Sequence, residues 1–485
     1  MRRSILAVIA SVGAATVAFS ACSLGLDESK LDLADGGAND GVAPDAPAKS
    51  DGAVNPTQCN QDQDCKPANA CLVGKCNVAL HQCSYDICPA PKACQASVCD
   101  TNSKTCSVPT QYGFHAGSFH LTTGTIGCGG GAQGAHRCFA ASYPFVFIGT
   151  TNGVVARSVV DPTDSSPDVI PIGGVPFVPA FVVASGSRIY FVGFVGGSGP
   201  DYKVPIAWLD APTDPTVKSM TATSVFDSVQ VSQIDGVWPD TKGGVYLARG
   251  DGAKSYPVAR ITAPLKDLEA VQFFPLAGIP QNHGPIAASG TRVVTATAFG
   301  QYQTAFSLET GAGTGSAQNA GAQETTATFG AVAGNFFFAQ GPDGSLVASG
   351  TAVSLPDGGQ PTSSGVRVAW LVADEKATTF DATAHVDIEP YTNAGCCGGD
   401  FAGPVAWIDS KRALVLSAPA SNLAQTAVQI VTREGAPSVV ANRKFVLPFH
   451  PSELGAAASS SYGYVMTPDQ VSGLNVHVFA AGCDN

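Results

Sequence analysis

A short turn-and-strand motif recurs along residues 110–485, and it restricts the fold more than any other feature of the chain. Residues 184–189 (ASGSRI) and 288–293 (ASGTRV) are closely similar, and each leads into a run of β-branched or aromatic residues. Looser copies begin at Tyr143, Lys242, Ala333, Asp409 and Ser461. Measured between the apolar runs that the copies introduce, most neighbouring copies lie about 43 to 57 residues apart. This period predicts an all-β fold of the β-propeller type, because stacked small sheets bury faces that one sheet alone leaves exposed.

We expect seven blades, one for each copy of the motif. The many glycines (54) and prolines (33) and the low share of charged residues (13%) are typical of short strands joined by turns. The interval between Phe338 and Asp409 is longer than the others, so it contains either a divergent blade or an insertion. A large β-sandwich or an irregular β-solenoid is the alternative architecture.

A second motif places tryptophan after alanine, at Trp208, Trp370 and Trp407. Because the motif recurs, we expect these indoles to occupy one equivalent strand position and to pack within blades. Stacking against a sugar is the alternative.

Nine cysteines lie in residues 59–107, and eight of them form a duplication. The pattern Cys65-x5-Cys71-x4-Cys76-x6-Cys83 returns 23 residues later as Cys88, Cys94, Cys99 and Cys106. Few large apolar residues accompany them, so disulfides must replace a hydrophobic core. A metal site is the alternative, but this segment has no Cys-x2-Cys pair that would place two thiolates on one ion. The pattern therefore predicts a disulfide-rich, two-repeat module without a metal.

Cys59 lies outside the duplication and makes the number of cysteines in the module odd. Five more cysteines follow, at Cys128, Cys138, Cys396, Cys397 and Cys483. We therefore hypothesise one bridge from the module to the propeller, donated by Cys59, with pairing inside each repeat as the simplest scheme for the others. Cys128–Cys138 is the preferred bridge within the propeller. We expect Cys483 to bond to Cys396 or Cys397, although these adjacent residues could also form a vicinal ring.

Residues 1–21 have the three parts of a secretion signal. Arg2 and Arg3 precede an uncharged apolar run, and small residues precede Cys22. The run is shorter than the ~20 residues of a membrane-spanning helix. The sequence Phe-Ser-Ala-Cys at 19–22 resembles the bacterial lipobox, which implies cleavage before Cys22, lipid on its thiol and, with Ser23 following, the outer membrane. The membrane is thus an expected partner, and export is consistent with disulfide formation.

Residues 22–58 contain seven acidic residues among many Ala, Gly, Pro and Asn, a composition that predicts a disordered tether. The order of lipobox, tether and repeats such as Cys59-Asn-Gln-Asp-Gln-Asp-Cys65 resembles surface lipoproteins of large-genome bacteria, of the kind common in myxobacteria. The resemblance covers residues 1–107 by sequence and the rest by architecture. It implies a location but no chemistry, so no catalytic residue is carried over.

The sequence shows no catalytic arrangement, and we predict no catalytic residue, metal or cofactor. A Gly-x-Ser-x-Gly elbow and a P-loop are both missing. No two histidines have the His-x3-His spacing of a helical metal site, so we expect packed or surface roles for His81, His115, His120, His136, His283, His385, His450 and His477. The net charge of −12, without a basic run, argues against a nucleic-acid partner.

These features together predict a lipid-anchored envelope protein whose propeller loops present a binding or scaffold surface to a protein or a glycan. A surface enzyme of the lyase, lactonase or glycosidase type is one alternative, and a purely structural envelope component is another. Carboxylates clustered in the central channel would favour the enzyme, whereas an apolar channel would argue against it.

Overall fold

A computed structural model describes most of the chain after residue 58. The described residues are 59–66, 71–78, 81–88, 94–96, 103, 105–106, 110–122, 128, 137–162, 168–193, 204–226, 234–240, 243–249, 255–264, 274–277, 283–289, 292–297, 302–307, 324–325, 331–332, 337–341, 345–354, 362–371, 385–388, 402–419, 422–469 and 473–483. The predicted signal, tether and lipidation site at Cys22 lie outside them, as do Cys99, Cys396 and Cys397. None of the described segments is a helix with the length and hydropathy of a membrane span.

The cysteine-rich segment contains two small antiparallel sheets and a short 3-10 turn at Asp62–Asp64. One sheet pairs β1 (Leu72–Asn77) with β2 (Gln82–Ile87), and the other pairs β3 (Gln95–Ala96) with β4 (Thr110–Gln111). Among its described residues, the buried apolar cluster consists of Cys71, Leu72 and Cys88, with Tyr85 and Val160 packed against it. Because so little apolar surface is buried, the disulfides carry the stability of this segment, as the sequence predicts.

Seven sheets of four or five strands follow, and each is one blade of a propeller. β5 (His115–Leu121) precedes blade 1, which contains β6 (Phe139–Ser142), β7 (Phe145–Thr150), β8 (Gly153–Ser158) and β9 (Ile170–Gly173). Blade 2 contains β10 (Pro179–Ser185), β11 (Arg188–Gly193), β12 (Pro205–Asp210) and, as its fourth strand, a segment at Thr223–Phe226. The short strand β13 (Met220–Thr221) comes between β12 and that fourth strand, β14, and pairs in parallel with β9 of blade 1. Blade 3 contains β15 (Ile234–Pro239), β16 (Val245–Arg249), β17 (Ser255–Ile261) and β18 (Phe274–Ala277).

The remaining blades repeat this antiparallel order. Blade 4 contains β19 (His283–Ser289), β20 (Arg292–Thr297), β21 (Tyr302–Ser307) and β22 (Glu324–Thr325). Blade 5 contains β23 (Ala331–Val332), β24 (Phe337–Gln340), β25 (Leu346–Ser354), β26 (Thr362–Leu371) and β27 (His385–Ile388). Blade 6 contains β28 (Ala402–Trp407), β29 (Arg412–Ser417), β30 (Thr426–Thr432) and β31 (Ser438–Leu447). After a 3-10 turn at Pro451–Glu453, blade 7 contains β32 (Gly455–Ser459), β33 (Tyr462–Pro468) and β34 (Leu474–Ala480).

The first propeller strand closes the ring. β5 pairs antiparallel with β34 and becomes the outermost strand of blade 7, so its partners are more than 350 residues away along the chain. The seven inner strands (β6, β10, β15, β19, β24, β28 and β32) contact one another in sequence, and β32 contacts β6. This closed circuit confirms the predicted propeller of seven blades and excludes a sandwich or a solenoid.

Packing between neighbouring blades supplies the core. Among the described side chains, five apolar layers each join one blade to the next. Trp370, fully buried, is part of the layer between blades 5 and 6, and Phe147 is part of the layer between blades 1 and 2. Several strands, such as β7 and β28, are therefore buried along their whole length, because alternate side chains pack against the blades on either side.

The arginine of the recurring motif links adjacent blades. Arg188 pairs with Asp210 in its own blade at 2.7 Å, and it also donates to the carbonyl of Ala263 in blade 3. Arg412 repeats this arrangement: it pairs with Asp409 at 2.7 Å and donates to the carbonyl of Ala481 in blade 7 at 3.0 Å. The motif thus contributes a turn and also a contact between blades. Its Gly186 has φ of 62°, which suits glycine at this turn.

Two details of the predicted repeat are wrong. Phe337 and Phe338, expected to follow a hairpin, lie on the inner strand β24, and the hairpin of blade 5 comes later, where Gly341 N–H donates to the Ser345 carbonyl at 2.7 Å. The long interval between Phe338 and Asp409 contains most of blade 5, including its long strands β25 and β26. Trp208 and Trp370 lie on third strands, whereas Trp407 ends an inner strand, so the three indoles are not equivalent.

The disulfides follow the predicted repeat only in part. Cys65–Cys83 and Cys88–Cys106 join the first and fourth cysteines of each repeat. Cys71 is also disulfide-bonded. Cys59 bonds to Cys76, so the prediction that Cys59 reaches the propeller is wrong. The cause is local: the N–H of Cys59 donates to the carbonyl of His81 at 3.1 Å, which holds the segment against the β1–β2 hairpin.

A different bridge, Cys94–Cys483, joins the module to the propeller. The expectation that Cys483 bonds to Cys396 or Cys397 is therefore wrong. Tyr112 N–H donates to the Cys94 carbonyl at 2.9 Å just before β5, and Cys483 follows β34, which pairs with β5. Strand pairing thus brings the two sulfurs together. The chain from Pro56 to Asn485 forms one compact unit.

The sulfur atoms of six cysteines in the module lie in two groups of three, Cys59–Cys65–Cys76 and Cys71–Cys88–Cys106. Within each group the sulfur atoms lie within 4.8 Å of one another. All six are disulfide-bonded. Because a metal ligand must be a thiolate, these groups reflect neighbouring disulfides rather than a metal site.

Candidate functional site

The inner strands surround a central cavity of about 300 Å³. Residues from β6, β10, β15, β24, β28 and β32 line it. Most of the lining is alanine, valine, phenylalanine or tryptophan. Arg137 is the one charged side chain among the described lining residues, and none of them carries a carboxylate or an imidazole. The lining that the structure describes is therefore predominantly apolar, with Arg137 as its one cation.

Arg137 lies at the end of the channel where the inner strands begin. It lies two residues before β6, and the intervening residue Cys138 is fully buried and bonded to Cys128. The Cys138 carbonyl also accepts a hydrogen bond from Gly149 N–H at 2.9 Å. The guanidinium of Arg137 lies 5.3 Å from the ring centroid of Phe181 on β10, within cation–π range. The Cys128–Cys138 bridge, the pair preferred in the sequence analysis, thus holds the backbone beside this cation.

The inner strands end at the opposite end of the channel, where two indoles and an amide lie. Trp407 donates from Nε1 to the Ala339 carbonyl at 2.9 Å, and the guanidinium of Arg433 lies 4.9 Å from its ring centroid. Trp238 is the penultimate residue of β15 and also lines the cavity. Both polar atoms of the Gln340 amide are buried without a hydrogen-bond partner. This end is therefore aromatic and has unused hydrogen-bonding capacity.

The ring closure also brings two histidines together that are 362 residues apart in sequence. His115 Nε2 lies 3.2 Å from His477 Nδ1, and the His115 ring stacks on Phe445 with centroids 4.1 Å apart. Burial lowers the pKa of His115. Burial, and in second place the charge of His115, lowers the pKa of His477 to about 4. The pair is thus neutral at pH 7 and shares a hydrogen bond in the outer part of blade 7.

We expect this pair to make stability pH-dependent. In the unfolded chain His477 takes up a proton near its ordinary pKa of 6.5, whereas in the folded protein it does so near 4. Protons therefore bind the unfolded state preferentially in that window, and the free energy of unfolding should fall by on the order of 3 kcal/mol as pH decreases from 6.5 to 4. Urea unfolding at several pH values measures this loss.

His477→Gln should flatten the pH profile between 4 and 6.5. A wild-type profile without a slope in this window would contradict the interpretation.

The other predicted site residues are placed as follows. His120 Nδ1 lies 3.2 Å from Asn475 Oδ1, and His81 Nδ1 lies 3.1 Å from the Cys59 carbonyl oxygen, so both have structural partners. His136 and the side chain of His283 lie outside the described residues. The channel residues Arg137 and Trp238 were missed, because no spacing in the sequence marks the innermost position of a blade.

Comparisons with known proteins add little beyond the fold. No protein-family model matches the chain, and no curated protein matches it. Similar solved structures include the β-propeller domain of Cps50 (Swd1) from Myceliophteria thermophila, with 12% identity over 72% of this chain and 96% of that chain and a TM-score of 0.41. Sqt1 from Saccharomyces cerevisiae has 10% identity over 77% of this chain and 88% of its own, with a TM-score of 0.43.

The propeller domain of the Trilobed protease from Pyrococcus furiosus has 10% identity over 62% of this chain and 83% of that chain, with a TM-score of 0.34. At these values the matches carry no inference about activity or partners. The fold assignment rests on strand order and ring closure: the chain is a seven-bladed β-propeller that follows a disulfide-rich module.

Proposed function

We propose that this protein is a lipid-anchored protein of the cell envelope whose propeller is a rigid binding scaffold. The observation that carries the binding role is the central channel, whose described lining is apolar with one arginine and no acidic or imidazole group. Propeller-based lyase, lactonase or glycosidase chemistry requires acid–base groups that converge on one site. The described lining residues offer no such pair, so binding fits the channel better than catalysis.

The closed ring of the propeller also supports a role as a binding scaffold. The ring is closed by β-pairing of β5 with β34, and the Cys94–Cys483 bridge adds a covalent link at the end of that pairing where β5 begins and β34 ends. A scaffold that does not reorganise on binding loses less conformational entropy, which favours affinity. Loops at the ends of the blades would present a protein or a glycan partner with a fixed surface.

Anchoring is supported by Cys22, the signal before it and the oxidised cysteines after it. We expect residues 23–485, exported behind a signal that ordinary signal peptidase removes, to shift from the membrane fraction to the soluble fraction. The wild-type chain should remain with the membrane, because two or more acyl chains give stable attachment at about 0.8 kcal/mol per buried CH₂. Fractionation followed by immunoblotting measures the shift.

Intact-mass analysis of the wild-type protein provides the second measurement. It should show a chain that begins at Cys22 and carries added acyl mass. Non-reducing electrophoresis should give the same disulfide pattern for both forms, which controls for folding. A different mature N-terminus, an unacylated Cys22, or membrane retention of the 23–485 form would refute lipid anchoring.

A further inference from the structure

We propose that His115 and His477 form a zinc site on the two outer strands of blade 7. The nearest nitrogens of the two rings are 3.2 Å apart, and the ring centroids are 5.4 Å apart. Two imidazoles on one tetrahedral zinc ion, with bonds of about 2.0–2.1 Å, have nitrogens about 3.3 Å apart and centroids about 5.2 Å apart. The pair therefore already has nearly the spacing of two zinc ligands.

The spacing also distinguishes zinc from other ions. A square-planar Cu²⁺ or Ni²⁺ site that held the two rings at a right angle would bring their centroids to about 4.5 Å. The observed separation of 5.4 Å is much closer to the tetrahedral value. Ca²⁺ and Mg²⁺ prefer oxygen ligands, whereas imidazole nitrogen is a common ligand of zinc. Zinc is therefore the ion that the pair can bind with the least movement.

Neighbouring aromatic rings and strand pairing hold the two imidazoles in position. The His115 ring stacks on Phe445 of blade 6 with centroids 4.1 Å apart, and the Phe479 ring lies 5.3 Å away. His115 and His477 belong to β5 and β34, whose backbones are hydrogen-bonded to each other. Ligands that are positioned before the ion arrives lose little conformational entropy when it binds.

The site is accessible to an ion and needs no net loss of protons. Burial keeps the pKa of both histidines below its ordinary value, so both rings are neutral at pH 7. The proton between the two nitrogens would pass through water to the other nitrogen of the same ring, which leaves both lone pairs for zinc. Ser118, paired directly opposite His477, is exposed, so water can supply the remaining two ligands.

Isothermal titration calorimetry of the full mature protein with zinc chloride tests the proposal. The protein carries no added histidine tag and is first freed of metal with a chelator. We expect a dissociation constant on the order of 10 µM, because half of the ligands of a closed site are present. His115→Gln and His477→Gln should each weaken binding at least about tenfold.

His120→Gln is the matched control on the same strand. The Nδ1 atom of His120 lies 3.2 Å from the amide oxygen of Asn475 rather than from a second imidazole, so this replacement should leave zinc affinity within about twofold. Non-reducing electrophoresis of each variant should give the wild-type disulfide pattern, which controls for folding.

Cobalt(II) provides a measurement that needs no variant, because tetrahedral Co²⁺ absorbs visible light far more strongly than octahedral Co²⁺. We expect the strong absorption in the wild-type protein and in His120→Gln, and its loss in the other two variants. Absence of zinc binding by the wild-type protein at millimolar concentration, or unchanged affinity in His115→Gln and His477→Gln, would overturn the site. An octahedral cobalt spectrum would overturn the tetrahedral assignment. Neither result affects the membrane fractionation, so the anchored role is tested separately.

Discussion

Replacing Cys94 and Cys483 together by serine is expected to lower the free energy of unfolding by about 5 kcal/mol. The bridge spans 389 residues, and a crosslink over a loop of that length removes a large conformational entropy from the unfolded chain. Changing both cysteines avoids a free thiol. Equilibrium denaturation in urea, with the other disulfides kept oxidised, measures the loss.

The matched control is the double replacement Cys128→Ser/Cys138→Ser. That bridge closes a loop with a sequence separation of 10, for which the same relation gives about 2–3 kcal/mol. The ratio between the two losses is therefore the informative quantity. Equal losses would show that the Cys94–Cys483 bridge acts through local packing at the module rather than through restriction of the whole chain.

Leu121→Ala is expected to destabilise the protein by about 2–5 kcal/mol. Leu121 is fully buried on β5 and packs in the layer between blades 7 and 1, where truncation leaves a cavity at the ring closure. Because the closing strand holds the two ends of the propeller together, we also expect faster unfolding. Denaturant titration and stopped-flow unfolding measure the two effects.

Ser118→Ala is the control on the same strand. Ser118 is exposed, so its replacement should change the free energy of unfolding by less than about 0.5 kcal/mol. If Leu121→Ala were as mild as Ser118→Ala, the paired strand would not be needed for closure, and the described ring contacts alone would hold the propeller.

The blade architecture could be predicted because its signal is local. The signal consists of the turn that contains Gly186, the arginine after it and the apolar run that follows, all within a few residues of one another. A similar turn and apolar run recur in the other copies. Arg188 and Arg412 show why the arginine recurs: each one reaches a backbone carbonyl of the next blade. In these two copies the motif therefore supplies a contact between neighbouring blades as well as a turn.

Long-range pairings could not be predicted in the same way. The partner of Cys483 depends on the pairing of β5 with β34, and the sequence around Cys94 has no feature that points to a residue 389 positions later. The His115–His477 contact depends on the same closure. Arg137 and Trp407 became channel residues only because they lie on or beside inner strands, a position that depends on the order of strands in three dimensions.

The pairing of the first propeller strand with the last one sets an order of events during biogenesis. Blade 7 lacks its third strand, β34, until residues 474–480 have been synthesised, and β5 has no pairing partner until then, so the propeller can be completed only late in synthesis. Interactions between such distant segments form slowly. A chain truncated before β34 would retain β5 as an unpaired strand and would be a substrate for proteases. The C-terminal strand thus gives the cell a simple way to distinguish finished copies from incomplete ones.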